Sequence, residues 1–126
     1  LAEAGAILSG NEDAEARIRA LSLSLMQAVV QDNAEMTVCF REVHALSPER
    51  RRDVLRLHGD YFRLWEQVIN EARDAGRLRP VDPDELKAML GMYFYAFLWV
   101  GPQRAGDIEA LAGKFAGIVL RACRKD

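Results

Sequence analysis

Thirteen consecutive residues, Ala88 to Val100, carry no charge and hold five of the chain's ten aromatic side chains. The run reads AMLGMYFYAFLWV, between a helix-start signal at Asp82-Pro83 and a stop at Gly101-Pro102. The simplest reading is one helix over 83–100. A helix that is apolar all round must be covered all round. This one is too short to span a bilayer, which takes about 20 apolar residues. A small domain covers one face of a peripheral helix, so the second face points to a partner chain, a ligand cavity, or both.

The rest of the chain reads as helical too. No alternating strand pattern is present, and 126 residues suffice for one domain with a single core. A remnant over 1–8 is broken at Ser9-Gly10-Asn11. Asn11 is the expected N-cap of a helix reaching Gln31, with Ala14, Ile18, Leu21, Leu25 and Val29 as its apolar stripe. Ser22 on that stripe is a buried hydroxyl in need of a partner. A short helix is expected over 34–45, with Met36, Cys39, Phe40 and Val43 on one face.

Ser47-Pro48-Glu49 starts a long helix that runs to Ala75, with Gly76 as its C-terminal cap. Its stripe is Val54, His58, Tyr61, Trp65, Val68 and Ala72. Gly59 sits in mid-helix, which reads either as a close helix crossing or as room for a ligand. The last helix covers about 107–123. It opposes Ile108, Leu111, Phe115, Ile118 and Val119 to the small residues Ala110, Gly113 and Gly117. Projected at about 100° per residue, the apolar helix also has two faces. One is Leu86, Met89, Leu90, Tyr93 and Phe97; the other is Ala88, Met92, Tyr95, Leu98 and Trp99.

Chemistry-bearing motifs are missing. The sequence has no G-x-S-x-G elbow, phosphate-binding glycine loop, H-E-x-x-H or paired C-x-x-C, so no catalytic residue, metal or cofactor is expected and the chain does not read as an enzyme. His44 with Glu42 or Cys39 has no ligand spacing. His58 reads as a hydrogen-bonded core histidine or, alternatively, as a polar anchor in an apolar cavity. The formal net charge of -2 lacks the basic excess of a nucleic-acid surface, and Arg50-Arg51-Arg52 reads as a solvated helix face. Two distant cysteines and no signal peptide fit reduced thiols in the cytoplasm, and no membrane segment is expected.

The segment FREVHALSPERRRDVLRLHGDYFRLWEQVINEARDAGRLRPVDPDELKAMLGMYFYAFLW and the ending FAGIVLRAC resemble the C-terminal domain of TetR-family transcriptional regulators. The resemblance spans essentially residues 1–126. Its more specific pieces are Leu46-Ser47-Pro48-Glu49, the Tyr61 and Trp65 pair, the turn Ala75 to Pro80 before Asp82-Pro83, and Leu90-Gly91 with Trp99. It implies an all-α bundle of five to six helices that dimerises through its last two. Residues 1–8 would end a connecting helix, and an N-terminal helix-turn-helix domain upstream would bind operator DNA. It also implies a cavity for a hydrophobic or amphipathic effector, an acyl thioester being one candidate.

Two sets of site residues follow. The expected ligand walls are Leu25, Val29, Cys39, Phe40, Val43, His58, Tyr61, Trp65, Tyr93 and Phe97. The expected homodimer face is Met92, Tyr95, Leu98, Trp99, Gly113 and Gly117. The competing reading, from a different class, is a helical protein-interaction module without a small-molecule ligand.

Overall fold

The computed structural model describes residues 13–31, 46–100 and 106–125, without the side chains of Gln31 and Phe97. Among them are four α-helices: α1 (Ala14–Gln31), α2 (Pro48–Asp74), α3 (Pro83–Tyr95) and α4 (Ile108–Ala122). A 3₁₀ turn, Ala96–Leu98, follows α3. The expected helices at 1–8 and 34–45, with Cys39, Phe40 and Val43, lie outside the described residues.

Local chemistry sets the helix ends. Asp13 directly precedes α1, and its carboxylate accepts from Glu15 N–H at 3.2 Å. An Asp caps as well as the expected Asn11 would. Ser47 Oγ accepts from Arg50 N–H, and Pro48 opens α2. At the far end of α2, Arg77 N–H bonds to Ala72 C=O and Gly76 N–H to Arg73 C=O, both at 2.9 Å. That is a Schellman closure, and Gly76 takes the left-handed φ of 76° that it requires. Asp82 and Glu85 form a reciprocal capping box at the start of α3.

The expected single helix over 83–100 is corrected in its last turn. After Tyr95 the chain tightens into the 3₁₀ turn, and both Trp99 N–H and Val100 N–H reach Ala96 C=O. Tightening of this kind is common at helix ends. It buries Ala96 and Val100 and leaves Leu98 and Trp99 outside.

α1 is the centre of the bundle and packs chiefly on α4, then on α2, α3 and the 3₁₀ turn. Neighbours on several sides explain why its burial is wider than one stripe: Ser22, Ser24, Met26 and Val30 are buried together with Ile18, Leu21, Leu25 and Val29. Each fully buried Leu, Ile, Val or Met side chain contributes about 1.5–3 kcal/mol over its exposed state. α2 and α3 form an antiparallel hairpin, with Tyr61, Trp65, Val68, Ile69 and Ala72 turned inward from α2. Arg79 ties the hairpin to the end of α4. Its N–H bonds to Cys123 C=O at 3.0 Å and its Nε to Ala122 C=O at 2.9 Å.

Candidate functional site

α2 and α3 leave a groove of about 470 Å³ between them. Leu55, His58, Gly59 and Phe62 of α2 line it, facing Lys87 and Leu90 of α3. The spacing of the α2 residues keeps them on one side of the helix. His58 stacks on Phe94, with ring centroids 4.1 Å apart and an interplanar angle of 24°. Burial lowers the His58 pKa, so its imidazole is neutral at pH 7. Lys87 holds its ammonium 5.8 Å from the centroid of the Phe62 ring. No carboxylate, hydroxyl or thiol is among these lining residues, so the groove offers shape and one positive charge rather than a reacting group.

Behind the groove the core is aromatic. The Tyr93 ring lies 5.4 Å from Trp65 and edge-on to Phe115 at 5.1 Å. Burial raises the Tyr93 phenol pKa, partly offset by its bond to Ser22. Trp65 is 1% exposed, and its indole N–H has no hydrogen-bond partner among the described residues. An orphaned buried donor costs about 1–3 kcal/mol.

On the far side of the aromatic core the surface is apolar. Tyr95, Leu98 and Trp99 are 61%, 51% and 48% exposed, and Ile118 on α4 is exposed as well. Trp99 stacks over Phe115 with centroids 6.1 Å apart. Beside them Ala110 is exposed and Gly113 and Gly117 are half-buried. A Cβ on Gly113 would meet nothing within 4 Å.

The expected site residues are distributed as follows. His58 lines the groove. Leu25, Val29, Tyr61, Trp65 and Tyr93 are buried in the core. Tyr95, Leu98 and Trp99 are exposed, and Met92 is half-buried. Leu55, Phe62, Lys87 and Leu90, which the sequence did not single out as walls, complete the groove, and Phe94 supports it from beneath. Gly59, which the sequence reads as a close helix crossing or as room for a ligand, lines the groove. Among the described residues no group of three or more His, Cys, Asp or Glu could hold a metal ion. No helix among them is long and apolar enough to cross a membrane.

The family model described as "Tetracyclin repressor-like, C-terminal domain" matches residues 11–123. The chain belongs to that family. Its members are transcription regulators and not enzymes. Among solved structures, the ketosteroid transcriptional regulator KstR2 of Mycobacterium tuberculosis superposes with a TM-score of 0.84 at 19% identity. The match covers 99% of this chain and 65% of that one, so the chain spans about two thirds of the regulator it resembles. No curated protein sequence matches the chain. The structural match shows that the all-α fold is that of a TetR-type C-terminal domain.

Proposed function

We propose that the chain is the effector-sensing and dimerisation domain of a one-component TetR-like regulator. A hydrophobic or amphipathic small molecule occupies the groove between α2 and α3. The uncovered face of α3, the 3₁₀ turn and α4 pairs with a second copy. Operator DNA is bound through an N-terminal domain that these residues do not include.

One observation carries this reading: the groove and the uncovered face share an aromatic core. His58 rests on Phe94, its neighbour Tyr93 rests on Phe115, and Phe115 rests under Trp99. A body that displaces Phe94 also presses on the packing beneath the outer face. An effector shifts an equilibrium only through different affinities for its two states. A groove that abuts the packing under the pairing face is where a ligand could bind the two states unequally. An acyl thioester is the finer form of the proposal, with a polycyclic body as its competitor.

The test has two parts. Mass in solution should be that of a dimer without any other protein present. Lipophilic ligands should raise the melting temperature, and Leu90→Trp, which fills the groove, should abolish the shift. A monomer that gives no shift with any ligand would transfer the uncovered face to a different protein partner.

A further inference from the structure

We infer that the groove selects amphipaths bearing one anionic group, held by Lys87 at the groove mouth beside Phe62. The inference rests on the groove being an effector site and specifies what that site accepts.

Lys87 is exposed, and no carboxylate lies within ion-pair distance of it among the described residues. The arginines nearby are engaged differently: Arg63 pairs with Asp60, and Arg79 with Glu85 at 2.7 Å. Asp84, one turn before Lys87, is exposed and forms no ion pair with it. Among the described residues the ammonium makes no ion pair and lies beside the Phe62 ring, where a cation is attracted to the π-face. Along α2, Arg52 and Arg56 share a face with Gly59 by their i, i+4, i+7 spacing, and both are exposed and make no ion pair among the described residues. They extend the positive rim.

The interior has the opposite character. Leu55, Phe62 and Leu90 form its apolar surface. The His58 imidazole, neutral because burial lowers its pKa, brings no competing charge. An apolar tail thus fits inside while its head group meets the lysine at the rim. A cationic head would be repelled there, and a neutral one would gain nothing from the charge. Carboxylate and phosphate heads share the chemistry that Lys87 recognises.

The experiment measures binding of four twelve-carbon probes by calorimetry below their micellar concentrations: laurate, dodecyl phosphate, dodecanol and dodecylamine. Laurate, dodecyl phosphate or both should bind about two- to fivefold tighter than dodecanol, the scale of an exposed ion pair. Which anion binds better separates a carboxylate effector from a phosphate-bearing one. Lys87→Gln should bring the anions down to the dodecanol level and leave dodecanol unchanged, and Lys87→Arg should restore selectivity. Equal binding of laurate and dodecanol by the native protein, or equal losses for both in Lys87→Gln, would overturn the inference while leaving the effector groove standing. No binding of any probe would overturn both. Gly59→Leu, which projects a side chain into the groove, should remove binding of all probes with helicity intact; retained binding would place the probes elsewhere and overturn the inference.

Discussion

The phenol oxygen of Tyr93 lies 2.6 Å from the hydroxyl of Ser22, and Ser22 in turn donates to the carbonyl of Ala112 at 2.7 Å. Serine has one hydroxyl proton and a carbonyl only accepts, so the order is fixed: Tyr93 donates to Ser22, and Ser22 donates to Ala112. Three helices, α3, α1 and α4, are thereby joined inside the core by two polar bonds.

This order makes the two partners unequal. Ser22→Ala leaves the Tyr93 hydroxyl buried without an acceptor and should cost about 1–3 kcal/mol. Tyr93→Phe leaves Ser22 still bonded to Ala112 and should cost about 1 kcal/mol. The double variant should cost less than the sum. Denaturant unfolding of the four proteins checks the order, and additive losses would show that the hydroxyl pair is not coupled.

Gly59 predicts a gain. In a helix interior Gly is less favourable than Ala by about 0.8–1 kcal/mol. A Cβ at Gly59 would come 3.2 Å from Arg63 Nη1, the movable end of a long exposed side chain. Gly59→Ala should therefore stabilise by about 0.5–1 kcal/mol in thermal or chemical unfolding, and a loss would mean that the helix backbone cannot accept the methyl. The same methyl narrows the groove, so ligand affinity should fall as stability rises.

Acid should expose the clamp between Arg79 and Glu85. The Arg79 guanidinium and the Asp82 backbone N–H hold the Glu85 carboxylate down to a pKa of about 2. A folded pKa below the unfolded one, about 4.3, gives a contribution that is full above that value and is lost as the pH falls toward about 2. Glu85→Gln should lower stability at neutral pH and flatten the stability profile between those two values. An unchanged acid profile in the variant would remove Glu85 from the account.

How much of this was legible in the sequence follows from the range of each interaction. Ser47-Pro48, Gly76 and Asp82-Pro83 act within one turn, and they mark both ends of α2 and the start of α3 correctly. The inward stripes of α2 and α3 follow from spacing. The burial of Ser22 follows from its place on the stripe of α1, but the full breadth of burial there does not, because Ser24, Met26 and Val30 lie off that stripe and are covered only by neighbours on other helices. Lys87 was hidden for a related reason. A lysine just after Asp84 and Glu85 reads as a solvent-side residue, and only its position over Phe62, 25 residues earlier, makes it part of a groove. The shift at Ala96 from α to 3₁₀ has no glycine or proline at the break, and it goes with the burial of Val100 against the rest of the bundle.

The pairing face makes the most decisive prediction, because two adjacent residues should respond to the same substitution in opposite ways. Trp99 is half-exposed and stacks on Phe115, whereas Val100 beside it is 1% exposed. An obligate interface of the expected kind buries more than about 2,000 Å² of largely apolar surface in total. Aspartate at its centre would be desolvated without a partner, so Trp99→Asp should leave the helices formed and shift the protein from dimer toward monomer. Leu98→Asp should do the same. Val100→Asp instead places a charge in the core of a single copy and should unfold the protein at any concentration. Sedimentation separates association from folding when paired with circular dichroism. A native protein that stays monomeric at high concentration, or a Trp99→Asp variant that dimerises as well as the native one, would mean that this face does not join two copies.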